Sequence, residues 1–294
     1  MLTSVVEKVI QQATLWYEFL LQRTEIRTRR MTKEKVEEKL VEDVVVLEVN
    51  TDEWSCEEVE KILGYRFKDR GLVQEALTHP SYYHPLKPSV TYERLEFVGD
   101  SVLNCLMTKE LFSSYPELSP GPLTLLRAAN VDTEKLARVA VNHGLHRYAR
   151  HKVLSLEEQI RDFKEAIVDY PIHSNGLIEV PKFLADIVES LLGAVFVDCS
   201  YCIDTVWKVF RRLLEPMISP DMLRKHPVSE LYELCQKKGM RVTFVKDTWK
   251  ESTIVEVLVD DQLVGRAMYG HKKEIAQNRA AKDALDNLKS CFLH

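Results

Sequence analysis

Two short stretches of the chain place carboxylates among apolar residues at the spacing of an α-helix. In the first, Glu93, Glu96 and Asp100 are separated by three and four residues, so they share one helix face. In the second, Asp186 and Glu189 are separated by three residues and do the same. Like charges gathered on an apolar helix destabilise it unless something neutralises them. Each of these helices therefore needs a partner for its acidic face.

A divalent cation is the simplest partner for two such faces. Mg²⁺ prefers oxygen ligands and is typically held by a few carboxylates together with water and phosphate. Two acidic helices that meet would form a metal pocket suited to the hydrolysis of phosphodiester bonds. The expected cofactor is Mg²⁺, with Mn²⁺ as a substitute.

The chain of 294 residues changes character along its length. Residues 1–51 are predicted to form an extension, with an apolar helical pattern that charges interrupt too often for a membrane span. Residues 52–219 show apolar residues at intervals of three and four and predict a helical domain. A linker is expected at 220–226, followed by a small module over 227–294. The extension also carries a basic cluster made of Arg27, Arg29, Arg30, Lys33 and Lys35.

The C-terminal module reads as a helix, three strands and a second helix. The two turn residues between the last two strands are Asp260 and Asp261, and Gly239 ends the first helix. The fold class predicted for the whole chain is therefore mostly α, with a helical domain followed by a small α+β module. Cys235 lies in the first helix near two lysines, which could lower the pKa of its thiol, but core packing is favoured over a redox role.

Three stretches in the helical part resemble the ribonuclease III family. The stretch at 93–100 resembles the family's signature helix, 77–82 its first conserved segment, and 181–190 its second metal-binding helix. The sequence of residues 126–137 is similar to that of the plant, Dicer-related branch of the family. The C-terminal module resembles a double-stranded RNA-binding domain. The resemblance implies an all-helical ribonuclease III domain.

The resemblance also assigns roles to the acidic residues. By family, the metal ligands are the positions Glu96, Asp100, Asp186 and Glu189, and Asp100 and Glu189 are further taken as catalytic. Glu93 is associated in the family with the dimer interface and substrate contacts, and a salt bridge to an arginine of a facing subunit is an equally good interpretation. Arg94 is a candidate for that arginine.

Lys182 and His79 are further candidates for a role in catalysis. Lys182 lies one turn before Asp186, so it can face the same pocket and neutralise phosphate charge, although a surface lysine is the alternative. His79 is better explained as a structural residue than as a general base, because metal-bound water needs no protein base.

The C-terminal module matches its family less closely. Residues 270–281 resemble the lysine-rich start of the second helix, where a helix N-terminus meets phosphate. The candidate RNA-contacting residues are Lys272, Lys273 and Arg279, but Glu274 and Gln277 stand where lysines are usual. Weak binding of RNA is expected, and contact with a protein or support of a dimer is the alternative.

The function implied is a metal-dependent endoribonuclease that cuts double-stranded RNA and leaves short 3′ overhangs. A catalytically silent RNA-binding or scaffold protein with the same fold is the alternative. The formal net charge of −5 is only a weak argument against a nucleic-acid partner. Since the family cuts two strands with two sites, one domain implies a homodimer. Double-stranded RNA-binding or Dicer-like pathway proteins are further candidate partners, no membrane is expected, and the expected location is the nucleus or, alternatively, the cytoplasm.

Overall fold

The computed structural model describes residues 56–83, 90–247 and 249–292, and from Cys56 onward they belong to one compact unit. The extension predicted over 1–51, with its basic cluster, lies outside the described residues. The boundaries predicted around the linker at 220–226 remain predictions, although that stretch consists of turns and irregular backbone.

The helical domain predicted from the apolar spacing is confirmed. Its helices in chain order are α1 (Cys56–Leu63), α2 (Arg70–Ala76), α3 (Glu93–Ser114), α4 (Pro120–Val131), α5 (Thr133–Asn142), α6 (Leu156–Ala166), α7 (Lys182–Asp198) and α8 (Ile203–Phe210). Short 3₁₀ turns at Pro80–Tyr83, Leu145–Tyr148 and Ile167–Asp169 connect some of them. Most of α7 is buried, which explains why its sequence is apolar on nearly every side.

Helices α3 and α7 cross where both carry a glycine. A Cβ atom at Gly99 would lie 1.8 Å from the backbone oxygen of Glu189, and one at Gly193 would lie 2.1 Å from that of Leu95. The two backbones are thus in direct contact, as only glycine permits. Because the acidic residues flank this crossing on both helices, the contact brings the two acidic faces together.

The C-terminal module has the predicted order of helix, three strands and helix, with one addition. Its elements are α9 (Pro227–Lys237), β1 (Val242–Val245), α10 (Trp249–Ser252), β2 (Ile254–Val259), β3 (Gln262–Met268) and α11 (Lys273–Phe292). The strands form an antiparallel sheet in the order β1-β2-β3, with a bulge between Val257 and Leu258. Asp260 and Asp261 have φ values of 49° and 66°, which suits a two-residue hairpin turn. The short helix α10 is the element that the sequence analysis missed.

The core of the module is apolar and includes the side chain of Cys235, which is fully buried. Burial, and then the charge of Asp260, raise the pKa of the Cys235 thiol. Both observations favour packing over a redox role, because a reactive thiol needs a low pKa and access to solvent. Among the described residues, no helix combines the length and the apolar content needed to cross a bilayer.

Candidate metal centre and RNA-contacting surface

Three of the four predicted metal ligands converge at the crossing of α3 and α7. Glu96, Asp186 and Glu189 each offer a carboxylate oxygen, and these oxygens lie within 4.8 Å of one another. Asp186 is buried, whereas Glu96 and Glu189 are partly exposed towards a cleft of about 300 Å³. This separation suits oxygen ligands that surround a divalent cation. The fit of the residues to a metal therefore rests on their positions as well as on their types.

The fourth predicted ligand, Asp100, lines the same cleft but stands apart from that group of three. Its Oδ1 atom accepts a hydrogen bond of 2.9 Å from the side-chain amide of Asn104, which lies one helical turn further along α3. Asn104 was missed by the sequence analysis. Its signal was the spacing of four residues from Asp100, which places both side chains on one face.

The electrostatics of the site favour the binding of a cation. Burial, followed by the charges of Asp100, Asp186 and Glu96, raises the pKa of Glu189 to about 8. At neutral pH the Glu189 carboxyl therefore carries a proton for much of the time, because its ionised form is partly removed from water and faces three other acids. A divalent cation would remove this cost, which makes the cluster a good match for a metal.

Lys182 lies at the start of α7 and faces the acidic cleft, as the spacing predicted. Its Nζ atom donates to an Oδ atom of Asp186 and lies 3.3 Å from Oε1 of Glu96. Burial opposes the charge, but the hydrogen bond to Asp186 and the charges of Asp186 and Glu96 outweigh it and raise the pKa of Lys182. Its side chain is 70% exposed, so the ammonium group can also reach a ligand in the cleft.

Tyr92 is a second residue of the site that the sequence analysis missed. It directly precedes α3, and its buried hydroxyl donates a hydrogen bond of 3.0 Å to Oδ2 of Asp186. Burial, and then the charge of Asp186, raise the pKa of the Tyr92 hydroxyl. The hydroxyl therefore stays protonated and fixes the orientation of a carboxylate whose other oxygen contacts Lys182. No motif pointed to this contact, since it joins residues far apart in the chain.

Two protein families match this chain, and one of the matches covers the acidic cluster. The model of the ribonuclease III domain matches residues 93–200, which contain all four predicted ligands, and the model of the double-stranded RNA-binding motif matches residues 227–288. A relative from Oryza sativa subsp. japonica, Ribonuclease 3-like protein 3, is 59% identical over 79% of this chain and 77% of its own length. The chain belongs to the ribonuclease III family. It is therefore an endoribonuclease of the hydrolase class by family.

Two other relatives place the chain in the plant branch of the ribonuclease III family. Ribonuclease 3-like protein 2 of Arabidopsis thaliana is 43% identical over 83% of this chain and 62% of its own length. Endoribonuclease Dicer homolog 1 of the same plant is 46% identical over 79% of this chain, which corresponds to only 12% of the Dicer homolog. The likeness to the plant, Dicer-related branch is thereby confirmed.

The remaining candidates on the ribonuclease III domain lie at its surface. Glu93 is exposed at the first position of α3, where its Oε2 accepts a hydrogen bond of 2.9 Å from the hydroxyl of Thr91. Arg94 is exposed as well. Burial raises the pKa of the Glu75 carboxyl, and the charge of Arg94 opposes that rise. Neither residue belongs to the group of three carboxylates, so a contact with a facing subunit or with substrate stays a prediction for both.

His79 packs as a structural residue. Its ring lies 5.0 Å from the ring of Phe183 in an edge-on arrangement, and its Nδ1 atom is 2.8 Å from the Ser81 hydroxyl. Burial lowers the pKa of His79. The histidine thus packs against Phe183 in the first turn of α7, which agrees with the structural role that the sequence favoured.

One of the three residues predicted to contact RNA through the double-stranded RNA-binding motif is engaged elsewhere. Nε of Arg279 donates a hydrogen bond of 2.8 Å to the backbone oxygen of Leu177, and its guanidinium lies 4.7 Å from the centre of the Tyr269 ring. The role of Arg279 as an RNA contact stays a prediction, although its Nε and the face of its guanidinium already have partners within the protein.

The two lysines of the same helix end differ in their surroundings. Nζ of Lys272 lies 3.1 Å from Oε1 of Glu179, so part of its charge is neutralised by the ribonuclease III domain. Lys273 is exposed at the start of α11 and forms no ion pair with the residues that the structure describes. Both lysines stay predicted RNA contacts at a helix N-terminus, and they differ in that Lys272 has an acidic partner within the protein.

Proposed function

We propose that the protein is a metal-dependent endoribonuclease that hydrolyses phosphodiester bonds in double-stranded RNA and leaves short 3′ overhangs. The observation that carries this proposal is the convergence of Glu96, Asp186 and Glu189 in one cleft with Asp100 at its edge. An acidic group of this kind has no benefit for binding a polyanion unless cations occupy it.

The four carboxylates would hold Mg²⁺, with Mn²⁺ as a substitute. When bound, the metal supplies a water of lowered pKa and neutralises charge at the phosphate. Tyr92 orients Asp186 through its hydroxyl. Lys182 carries a permanent positive charge at the mouth of the cleft. We propose that Lys182 stabilises charge that develops on the phosphate, since it can turn from the carboxylates towards substrate.

Cleavage of a labelled RNA duplex tests this function. The purified protein is expected to cut the duplex in Mg²⁺ or Mn²⁺ and to lose the activity in excess chelator, because the carboxylates alone repel phosphate. Single-stranded RNA of the same sequence is expected to stay intact. Sequencing the product ends should show short 3′ overhangs. Absence of cleavage with either metal on any duplex would instead favour the silent RNA-binding or scaffold protein.

We also propose that two copies of the chain form a homodimer, which would supply one site for each strand. The side chains of Leu103 and Leu106 on α3 are buried in the core of the domain. By contrast, Phe97 is 76% exposed and Phe112 is 72% exposed on the same helix. Phe97 lines the acidic cleft, so we propose that a second copy of the chain covers this part of α3.

Replacing Phe97 by aspartate tests the homodimer. The variant is expected to scatter light as a single chain under conditions in which the wild type scatters as two, because a charge in an apolar interface is poorly compensated. Val168 is 75% exposed outside α3, so Val168→Asp is the matched control and should leave the mass unchanged. A wild type that scatters as a monomer at the concentration at which it cuts duplexes contradicts the paired-site proposal.

The substrate and the location are proposed on the basis of the sequence. Precursors of ribosomal RNA or duplexes of small-RNA pathways are candidate substrates, and double-stranded RNA-binding or Dicer-like proteins of those pathways are candidate partners. The nucleus is the proposed location, with the cytoplasm as the alternative. Sequencing the ends of RNAs cut by the wild type and by an Asp100 variant would identify the substrates.

A further inference from the structure

Two cationic side chains lie close to one tyrosine ring at the surface of the ribonuclease III domain. The guanidinium carbon of Arg150 is 4.2 Å from the centre of the Tyr82 ring, and Nζ of Lys152 is 5.7 Å from it. We call these three residues the basic patch. The contacts of both cations with one ring fix their spacing.

The backbone holds the basic patch in place. The nitrogen of Arg150 donates to the oxygen of Leu77 at 2.7 Å, and that of His79 donates to the oxygen of Arg150 at 2.9 Å. The nitrogen of Lys152 donates a hydrogen bond of 3.0 Å to the hydroxyl of Ser81. The two segments that carry the patch therefore form one unit, so that little ordering is required when a ligand binds.

The charge of the basic patch is not neutralised within the described residues. Arg150 donates to the hydroxyl of Thr78 at 3.2 Å, which is an uncharged partner. Lys152 is exposed and forms no ion pair with the described residues. The carboxylate of Glu157 lies 3.4 Å from Nε2 of His151 instead. Two unpaired cations on a chain of net charge −5 make this a local site for an anion.

The basic patch is connected to the metal centre by two short contacts. The hydroxyl of Thr78 accepts from Arg150, and its backbone oxygen accepts a hydrogen bond of 3.0 Å from the nitrogen of Tyr92. Tyr92 in turn donates to Asp186. A chain of hydrogen bonds through Thr78 and Tyr92 therefore joins Arg150 of the basic patch to the carboxylate of Asp186.

We propose that the basic patch binds phosphates of the RNA duplex that flank the bond to be cut. The inference rests on the proposed function, because it names a second contact of the same substrate. It also adds cationic contacts to those of the double-stranded RNA-binding motif, in which Arg279 donates to the backbone oxygen of Leu177 and Lys272 pairs with Glu179. Contacts to phosphate set the position of a duplex without reading its sequence.

The salt dependence of duplex binding tests this site. Affinity is measured by fluorescence anisotropy of a labelled RNA duplex in Mg²⁺ at several salt concentrations, with Asp100→Asn in every protein to prevent cleavage. Adding Lys152→Gln is expected to weaken binding about fivefold and to reduce the slope of log affinity against log salt by about 1, the share of one phosphate contact. Lys208, exposed on α8, supplies the control Lys208→Gln, for which the slope should not change.

Two outcomes overturn the proposal. One is an unchanged slope in Lys152→Gln, and the other is an equal change in Lys208→Gln, which would show a general effect of net charge. Circular dichroism confirms that each variant is folded, and Arg150→Lys, which retains the charge, should retain the slope. A wild type that cuts no duplex while Lys152→Gln lowers the slope would refute the proposed function and leave the basic patch supported.

Discussion

Replacing Glu189 by glutamine is expected to lower the rate of duplex cleavage by at least about 100-fold, because the loss of a metal ligand exceeds the 10- to 100-fold effect of losing an outer-shell partner. Glutamine has nearly the size of glutamate but no negative charge, so the change removes one of the carboxylates whose oxygens lie within 4.8 Å. Single-turnover cleavage of a labelled duplex in saturating Mg²⁺ is the measurement. Glu165 is exposed on α6, so Glu165→Gln is the matched control and should cut at the wild-type rate.

The stability of the metal-free Glu189→Gln variant distinguishes a lost ligand from a lost fold. Burial, and then the charges of Asp100, Asp186 and Glu96, raise the pKa of Glu189 to about 8, so the folded wild type loses stability as pH rises from the ordinary glutamate pKa to that value. Glutamine has no such dependence. The melting temperature of the variant should therefore match that of the wild type at acidic pH and exceed it above pH about 8. A variant that cuts normally, or one that melts far below the wild type at every pH, contradicts this assignment.

Replacing Gly99 by alanine is expected to destabilise the protein by about 3 kcal/mol or more, at the upper end of the range for overpacked cores. The added Cβ atom would lie 1.8 Å from the backbone oxygen of Glu189, and a backbone atom cannot turn aside as a side chain can. Helices α3 and α7 would have to separate, which would also spread the carboxylates. Urea unfolding followed by circular dichroism measures the effect.

Gly121 is the matched control for this prediction. It lies in the first turn of α4, and a Cβ atom there would meet nothing within 4 Å. Gly121→Ala is expected to change the free energy of unfolding by no more than about 0.5 kcal/mol, as is usual for surface positions. Should Gly99→Ala prove as stable as Gly121→Ala, the close crossing of the two helices would be refuted. If Gly99→Ala yields no folded protein, the contrast with the control still supports it.

The sequence could predict those parts of the site that depend on helical periodicity. A helix repeats every 3.6 residues, so the spacing of Glu96 and Asp100, and that of Asp186 and Glu189, shows that each pair shares a face. The same periodicity placed Lys182 over the acidic cleft. The turn at Asp260 and Asp261 was equally accessible, because two residues at positive φ are a local requirement.

Contacts between distant segments could not be read from the sequence. Tyr92 and Asp186 are 94 residues apart, and no local rule joins them. Arg279 has the charge and the helix position of an RNA contact, yet its Nε donates a hydrogen bond to the backbone oxygen of Leu177. A residue type states what a side chain can bind, whereas competition among neighbours decides what it does bind.

The sequence by itself thus determined which side chains are acidic, which face of each helix they share, and what kind of cation suits them. Only the tertiary structure decided that the two faces meet, because the crossing depends on Gly99 and Gly193 lying against the opposite backbone. It also left Asp100 outside the group of three carboxylates and placed Arg150 and Lys152 around Tyr82. Periodicity is a property of each segment alone, but an approach of two segments depends on the shape of both.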